Sequence, residues 1–541
     1  MEDNKMLDKI YHNGDVITLT DNNAYIEAIG VNGEKISCVG SLNNVKKKMP
    51  NNSELIDLEG KALLPGFVDS HLHPILYLFF LLNPNLSEVK SIKDLTKILQ
   101  DAIRDKPEDE LVLGLNLREE DFTDPKEQHL PDRWILDKIC PNHPVFLLRY
   151  DGHIGIANSR ALELAGINNS TNIPEGGEIR RDENGNINGI LSEKAASHIL
   201  SKVSLPDPKS IREAAKKAFK NLASKGLTSL HGIVQLEAGG EMGDIGAYEV
   251  PILKSILDVI PQNWYIMVYT EKPKKLNRLK KSALHEGNVY AKFKVNCLKL
   301  FLDGTFGAAT ACMFEHFSDQ HDKCGFCTVN LDEIYLKMKE AHNLGYQICV
   351  HAIGDKGNRL LVDLYKRLLE EHPREDHRHR IEHASMLKDD VIEDIKNLGL
   401  IISSQPPFIN SEYKWIEKRI GKERSSYTYP FKTLFEKDII MAAGSDCPVE
   451  EPDVIKGLHA MVTRNGFVPK QCVSIEEALK AYTINAAYAA FEENVKGTIE
   501  VGKLADLVIL DKNPLEIPKE QIKDLQVMET IIRGKTVFKR E

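Results

Sequence analysis

The sequence has no excess of basic charge and no long hydrophobic run. Its formal net charge is -10 over 541 residues, and no stretch of Lys and Arg is concentrated enough to form a nucleic-acid-binding surface. No apolar run approaches the length that spans a membrane, and residues 1–5 (MEDNK) lack the basic-then-apolar layout of a signal peptide. We therefore expect no nucleic-acid partner, no membrane insertion and a cytoplasmic location.

The sequence also lacks the cysteine pattern of a disulfide framework. Its nine cysteines are odd in number and scattered, mostly in apolar strand-like contexts, which is typical of reduced thiols in a cytosolic enzyme. Cys324 and Cys327 have the spacing of half a zinc knuckle or of a redox pair, but no second pair follows at the distance of a zinc ribbon. We interpret this pair as an incidental loop feature, and the sequence does not define its role.

Both ends of the chain have the texture of small β-sheets. A length of 541 residues is too great for one ordinary core, so we expect a central domain with accessory modules. Short β-like runs and turns occupy residues 9–57, and the pattern returns in residues 505–510 and 527–538. The simplest arrangement is a composite β-sandwich formed by residues 1–61 and 488–541.

Between these ends, strand-like and amphipathic helical patterns alternate. Apolar residues recur at helical spacing in residues 211–222 and 331–342, and Gly345 and Gly399 are helix C-cap signals that precede strands. Eight such repeats predict an α/β fold, a (β/α)8 TIM barrel in residues 62–84 and 205–487. The predicted barrel strands are residues 63–69, 227–231, 264–269, 294–301, 347–351, 378–383, 400–405 and 439–444.

One interval interrupts the repeat. Roughly 150 residues separate the first two predicted strands, far more than a helical crossover needs. We predict an inserted α+β subdomain in residues 85–204, which includes the sequence Asp151-Gly152-His153 and a polar hairpin at residues 176–189. Because it follows a barrel strand, this subdomain should emerge at the C-terminal face and lie above the site.

The sequence PGFVDSHLH at residues 65–73 ends the first predicted strand with a His-x-His pair. In an extended backbone, residues i and i+2 point to the same side, so His71 and His73 can face one metal ion. An isolated pair of this kind is more often a chance feature of a loop. Here more potential ligands follow at the ends of later strands: Lys299, His351, His383 and Asp446.

The segment PGFVDSHLH resembles the first-strand signature of the amidohydrolase superfamily of metal-dependent hydrolases. Four later segments resemble the group within it that contains N-substituted formamide deformylases, and the similarity runs from about residue 10 to about residue 538. These segments are LKLFLDG at 298–304, VHAIGD at 350–355, RIEH at 380–383 and GSDCPV at 444–449. The resemblance implies a pair of divalent metals at the C-terminal ends of the strands. Imidazole and carboxylate ligands suit zinc best, with manganese, iron or nickel as substitutes.

Lys299 needs a chemical change to join such a site, because an ammonium group cannot bind a cation. The resemblance implies carboxylation by CO2, which gives a carbamate that bridges the two metals. Apolar neighbours such as Leu298 and Phe301 would desolvate the amine and lower its pKa, which supplies the uncharged nucleophile. The alternative is an ordinary lysine that reaches solvent or pairs with Asp303.

Asp446 is the candidate general base and acid, and also a metal ligand. A carboxylate beside the metals can accept a proton from water and pass it to the departing nitrogen, although Asp446 could instead only hold its turn. Charged residues of the matched segments, Asp303, Asp355 and Arg380, are expected to orient the ligands. The predicted substrate-binding residues are His153, Phe306 and Arg380.

Several other aromatic and histidine residues are less specific signals. Phe79, Phe80 and Phe408, with Phe306, could form an apolar wall or belong to the core. His153 could equally be a satisfied core histidine. A further group of histidines has irregular spacing and is interpreted as surface charge before the sixth strand; its members are His372, His377 and His379.

Together these patterns predict a metal-dependent hydrolase that cleaves a non-peptide carbon–nitrogen bond of a small molecule, an amide, with metal-activated water. The same machinery could hydrolyse an ester, a lactone or a cyclic amide. A non-catalytic metal-binding regulatory protein with this fold is the alternative from another class, but it would be expected to have lost a ligand, and all six positions are present. The expected partner is the small-molecule amide, and a homodimer is possible.

Overall fold

The structure is a computed structural model that describes residues 8–20, 26–104, 106–150, 152–172, 177–238 and 244–541. Residues 1–5, Asp151 and Gly176, which entered the sequence-based predictions, lie outside the described residues. No helix of the described ranges is both long enough and apolar enough to cross a membrane.

The strands in chain order are β1 (Lys9–His12), β2 (Asp15–Val16), β3 (Ala28–Asn32), β4 (Lys35–Gly40), β5 (Glu54–Asp57), β6 (Ala62–Pro65), β7 (Phe67–Leu72), β8 (Val112–Leu117), β9 (Val145–Arg149), β10 (Ile154–Ala157), β11 (Gly177–Arg181), β12 (Ile187–Glu193), β13 (Leu227–Gln235), β14 (Asn263–Tyr269), β15 (Phe293–Phe301), β16 (Gln347–Ala352), β17 (Arg380–His383), β18 (Ile401–Ser404), β19 (Met441–Ala443), β20 (Leu507–Leu510), β21 (Val527–Ile532) and β22 (Lys535–Lys539).

The α-helices in chain order are α1 (Leu42–Lys48), α2 (Pro74–Leu82), α3 (Ile92–Ile103), α4 (Arg133–Ile139), α5 (Ser159–Leu164), α6 (Lys194–Leu200), α7 (Pro208–Ser224), α8 (Glu249–Ile256), α9 (Leu276–Leu279), α10 (Leu331–Asn343), α11 (Asp355–Glu371), α12 (Asp389–Asn397), α13 (Phe408–Glu412), α14 (Ile416–Ile420), α15 (Lys422–Ser425), α16 (Phe431–Glu436), α17 (Val454–Thr463), α18 (Ile475–Ala481) and α19 (Ile484–Ala489).

An eight-stranded parallel sheet forms the centre of the molecule. Its strand order is β7-β13-β14-β15-β16-β17-β18-β19, and every neighbouring pair is parallel. The ends of the sheet approach each other beyond the last strand, where the Asp446 N–H donates to the His71 carbonyl at 2.7 Å. The predicted barrel is therefore confirmed, and the C-terminal ends of all eight strands meet at one mouth.

Helix α7 illustrates how local sequence produces the outer layer. Asp207 caps its first turn by accepting from the Lys209 and Ser210 amides, and Pro208 occupies the first helical position. Its buried residues recur at helical spacing and include Ile211, Phe219 and Leu222. This face packs into the large core that lies between the barrel and its helices.

The first predicted barrel strand is wrong at its start. Residues 62–65 form β6, which pairs with β2 and β20 in a separate sheet, and the barrel strand β7 begins at Phe67. Gly66 lies at the change of sheet, where a Cβ atom would approach the Thr228 side chain to 2.2 Å. An apolar run without polar breaks cannot show where one sheet ends and the next begins.

Strands from both chain ends share one sheet. Its order is β2-β6-β20-β21-β22, and a four-stranded sheet of order β4-β3-β1-β5 accompanies it. One apolar cluster joins the two sheets and contains Tyr11, Ile29, Leu63, Leu507 and Ile531. The strand near Val16 and the strand near Val508 thus belong to the same sheet, while the predicted domain boundaries in residues 1–61 and 488–541 stay predictions.

Between β7 and β13 the chain forms a third sheet, of order β11-β12-β10-β9-β8. Apolar clusters cover this sheet, one of them around Phe146 and Leu191 and another around Val112 and Leu147. The described part of the predicted polar hairpin is the antiparallel pair β11 and β12. His153 and Glu193 from this segment line the same cavity as His351.

Candidate metal centre

Three of the predicted ligands converge at the mouth of the barrel. One ligand atom each of His71, His73 and Asp446 can be chosen so that all lie within 4.8 Å of one another. Asp446 Oδ1 lies 3.4 Å from His71 Nε2 and 3.2 Å from His73 Nε2. His71 and Asp446 are buried, and the His73 side chain is 18% exposed toward the cavity.

Backbone contacts hold these three residues in place. His71 lies near the end of β7 and His73 directly precedes α2, with its N–H donating to the Cys447 carbonyl at 2.7 Å. Asp446 follows β19 in the left-handed region, with φ of 61°. The neighbouring Ser445 donates from its N–H and its hydroxyl to the Asp69 carboxylate at 3.0 and 2.5 Å. Asp69 therefore ties the last barrel strand to the first.

Glu382 is a candidate functional residue that the sequence analysis did not select. Its Oε2 contacts His71 Nδ1, and its Oε1 lies 2.7 Å from Arg380 Nε. Burial by itself would raise the pKa of Glu382, but the Arg380 guanidinium and His71 lower it well below its usual range. Glu382 lies in the matched segment RIEH, so the sequence could have identified it as a candidate. Its contact with His71 is visible only in the structure.

The hydrogen-bonding roles of the two His71 nitrogens favour a bound cation between His71 and Asp446. Ionised Glu382 can only accept, so His71 Nδ1 carries a hydrogen and its Nε2 is the nitrogen that faces Asp446 Oδ1. Two acceptors cannot face each other at 3.4 Å unless a proton or a cation lies with them. The carboxylates of Glu382 and Asp446 raise the pKa of His71 against the opposing effects of burial and Lys299. The residues present therefore fit a divalent metal.

His351, His383 and Lys299 lie beside this group. The ring centres of His71 and His383 are 4.7 Å apart, and those of His383 and His351 are 4.4 Å apart. Burial lowers the pKa of both His351 and His383 well below its usual range, so both rings are neutral. Lys299 is fully buried on β15, with Nζ 4.6 Å from the centre of the Phe301 ring. All six sequence-predicted positions are thus neighbours at the mouth.

Asp303 supports the site as expected, but Asp355 does not. Asp303 accepts from the N–H groups of Cys312, Ile353 and Gly354, each at 2.9 Å, and burial raises its pKa to about 7. It also lies 3.6 Å from His351 Nε2. Asp355 instead lines a separate surface cavity of about 590 Å³, where it accepts from the Phe314 N–H at 3.0 Å.

Arg380 lies away from the surface of the barrel mouth. It is completely buried below the mouth, where it contacts Glu382 and donates to the Ser70 carbonyl at 2.6 Å and the Ser403 hydroxyl at 2.9 Å. These contacts fit the expectation that Arg380 orients a ligand, and its substrate-binding role stays a prediction. Its guanidinium positions Glu382, which in turn positions His71.

Two cavities with shared lining residues adjoin the predicted ligands. The larger, of about 130 Å³, is lined by His71, His73, His153, Phe301 and Asp446, among others. The smaller, of about 30 Å³, is lined by His153, Phe306, Phe408 and Asp446, among others. His153 Nδ1 lies 2.8 Å from Glu193 Oε2.

The predicted apolar wall is only partly correct. Phe306 and Phe408 line the smaller cavity, and Phe408 stacks on His383 with ring centres 5.9 Å apart. Phe79 instead belongs to the barrel core, and Phe80 packs against a core of the inserted segment. Phe301 takes part in the wall of the larger cavity.

Two of the three histidines before the sixth barrel strand, His377 and His379, are not surface charge. His377 and His379 are buried, and His379 joins His342 through a contact of 2.8 Å between Nε2 and Nδ1. His342 Nε2 lies 2.9 Å from the His372 carbonyl, and the Ile348 N–H donates to His379 Nδ1 at 3.1 Å. The prediction was wrong because irregular spacing along the chain says little about distances in space.

Cys327 does not pair with Cys324. Its Sγ lies 3.6 Å from the Sγ of Cys312, and all nine cysteines are free thiols. The half-knuckle spacing was therefore misleading about which sulfur atoms are neighbours.

A barrel whose mouth gathers histidines and a carboxylate in this way is typical of metal-dependent hydrolases. The chain belongs to the amidohydrolase family, whose model matches residues 54–538. It is therefore a metal-dependent hydrolase that acts on carbon–nitrogen bonds, as the sequence predicted.

Individual relatives cover nearly the whole chain. The chain is 30% identical to the protein YtcJ of Bacillus subtilis (strain 168), over 98% of this chain and 99% of that protein. It is 25% identical to an N-substituted formamide deformylase of Arthrobacter pascens, over 99% of each. The solved structure of an uncharacterized metal-dependent hydrolase from Pyrococcus horikoshii OT3 is 27% identical, with a TM-score of 0.74 over 95% of this chain and 99% of that one.

Proposed function

We propose that this protein hydrolyses the amide bond of small N-substituted formamides. The observation that carries the proposal is the convergence of His71, His73 and Asp446 beside a cavity with apolar walls. The likeness to an N-substituted formamide deformylase over 99% of the chain supports the choice of bond.

The proposed metal-binding residues are those predicted from the sequence: His71, His73, Lys299, His351, His383 and Asp446. They would hold two divalent ions, with zinc favoured by the ligand types, and such ions when bound lower the pKa of water and polarise a carbonyl group. Lys299 contributes as its CO2-derived carbamate, because its ammonium form would repel cations. Its complete burial is consistent with a desolvated amine able to react with CO2.

Asp446 moves the proton in this proposal. Burial would raise its pKa, but His71 and His73 lower it well below its usual range, so its carboxylate is ionised. Oδ1 lies 3.2 Å from His73 Nε2 and takes the proton of the attacking water. The same oxygen then gives this proton to the amine nitrogen as the carbon–nitrogen bond breaks.

His153 and the cavity wall position the substrate. Glu193 accepts from His153 Nδ1 at 2.8 Å, which fixes the ring so that its other nitrogen can accept from the N–H of the substrate amide. Phe301, Phe306 and Phe408 cover the substrate and exclude bulk water.

A substrate panel tests the proposal. Protein loaded with zinc in the presence of bicarbonate should release formate and amine from N-alkyl and N-benzyl formamides, with turnover abolished by chelation. Acylated amino acids, hydantoins and lactones provide the comparison. Faster turnover of lactones than of any amide would favour the esterase or lactonase alternative, and turnover of hydantoins alone would favour a cyclic amidase.

A further inference from the structure

One wall of the larger cavity contains a carboxyl group that the proposed chemistry does not use. Glu249 is the first residue of α8, is only 4% exposed and lines the cavity together with Ile233 and Tyr269. Its Oε2 accepts from the backbone N–H of Gln235 at 2.5 Å. The carboxyl group therefore faces the cavity from a fixed position at the end of β13.

Two other acidic residues along this cavity already have partners. Glu271 forms an ion pair with Lys337 and accepts from the Tyr269 hydroxyl at 2.8 Å, and the exposed Lys194 also lowers its pKa. Glu193 contacts His153 at 2.8 Å and accepts from the Thr310 hydroxyl at 2.7 Å.

Glu249 differs from these two acids. Within the described ranges it takes part in no ion pair, and burial raises its pKa to about 8. A buried carboxyl group without a cation is unfavourable when ionised, so it favours a ligand that brings a positive charge.

Strand register indicates how far Glu249 lies from the predicted metal ligands, because Glu249 contacts Gln235 at the end of β13. Gln235 lies opposite Tyr269, and Tyr269 lies opposite Lys299 on the next strand. Neighbouring strands are about 4.8 Å apart, so Gln235 and Lys299 are separated by roughly 10 Å of sheet. A group bound at Glu249 would thus be linked to the reacting bond by a chain of a few atoms.

We propose that Glu249 binds an ammonium group on the nitrogen substituent of the substrate, so that the preferred substrates are formamides of aminoalkyl amines. This inference rests on the proposed function, which supplies the reacting amide. The bound ammonium group donates to the Glu249 carboxylate while the formyl group lies at the metal-binding residues. The apolar side chains of Ile233 and Leu76 contact the alkyl chain between them.

A matched substrate pair tests this assignment. N-(ω-aminoalkyl)formamides are compared with N-alkylformamides of equal chain length, in which a methyl group replaces the ammonium group. The wild-type protein should have the higher kcat/KM for the ammonium substrate. In Glu249→Gln the ratio of the two kcat/KM values should fall by roughly 30-fold or more, as expected when one partner of a buried charge pair is lost.

The substitution separates recognition from a merely structural role. Glutamine retains a side-chain oxygen that can accept from the Gln235 N–H, so the Tm of Glu249→Gln should stay close to the wild-type value. Glu271→Gln is the matched control, because it changes another acid of the same cavity and should leave the substrate ratio unchanged. A wild-type protein that prefers the methyl substrate, or an unchanged ratio in Glu249→Gln, would overturn the proposal.

A binding measurement with the product amines tests the ammonium site separately from the proposed reaction. Calorimetry with an alkyl diamine and the matched alkyl monoamine needs no turnover. Tighter binding of the diamine by wild type, lost in Glu249→Gln, supports the ammonium site even if no formamide is hydrolysed. In that case the proposed reaction fails and the recognition of an amine stands. Equal binding of both amines by wild type would refute the site itself.

Discussion

The imidazole of His71 and the carboxylate of Glu382 form a buried pair below the barrel mouth, with side chains 1% and 0% exposed. Arg380 contacts the other side of the same carboxylate. The pair determines which nitrogen of His71 is available to a metal, so a residue outside the proposed ligand set controls the chemistry of a ligand.

Replacement of Glu382 by Gln should weaken metal binding by about 10- to 100-fold, because the amide cannot provide the charge that orients and polarises His71. Competition with a chromophoric chelator measures the affinity. Asp355→Asn is the control, since Asp355 lies in another matched segment but lines a different cavity. Unchanged affinity in Glu382→Gln would contradict the role assigned to this carboxylate.

Asp446→Asn should retain its fold and most of its metal while turnover falls by about 100-fold or more, the usual scale for general acid–base catalysis. Metal analysis and kcat on the best formamide are measured on the same sample. His71→Ala is the comparison, because loss of an imidazole ligand should release metal directly. Near-normal turnover by fully metallated Asp446→Asn would transfer the proton step to another group, with His153 the first candidate.

Lys299→Ala should lose part of its metal and most of its activity, and added short carboxylic acids should restore some of both by replacing the carbamate. Native mass spectrometry of the wild-type protein should show the added mass of CO2, which disappears in acid. The finding of an unmodified Lys299 in a fully metallated, active protein would remove the bridging role. A single-metal site would then describe the protein better.

The buried histidine group should make stability depend on pH. Burial lowers the pKa of His342, His377 and His379 below the ordinary value of 6.5. The unfolded chain therefore takes up protons near pH 6.5 that the folded chain does not, so the free energy of unfolding should fall as the pH drops below that value.

Urea unfolding of metal-free protein at a series of pH values above and below 6.5 measures the effect. His342→Gln removes one titrating ring and retains a donor for the His372 carbonyl, so its stability should decrease less steeply with falling pH. Identical pH profiles for the wild type and His342→Gln would show that this histidine does not contribute.

The sequence predicted the barrel and the neighbourhood of the ligands because both follow from local patterns. His71, His351 and His383 occur near the ends of apolar strands, and the barrel brings such ends together. The contacts of Glu382 and Glu249 could not be predicted in the same way. Glu249 lies 14 residues from Gln235 in sequence, and only the packing of α8 brings its carboxyl group to the cavity.

Errors in the prediction have related causes. The split of the first strand at Gly66 depends on pairing with residues 507–510, more than four hundred positions away. Burial of His379 depends on packing against α10 and α11, which the spacing of the histidines does not encode. Local sequence therefore defined where side chains with suitable chemistry occur, and long-range packing determined which of them meet.

The shared sheet at the chain termini also affects how this protein is made. Strand β6 leads directly into the strand that carries His71, and it pairs on one side with β20 near the C-terminus. At about 5–20 residues per second, a ribosome needs roughly 20–90 s to make the residues between these two strands. The nascent protein must therefore wait with one edge of this sheet open, and assembly of the candidate metal centre should be completed only after β20 has been synthesised.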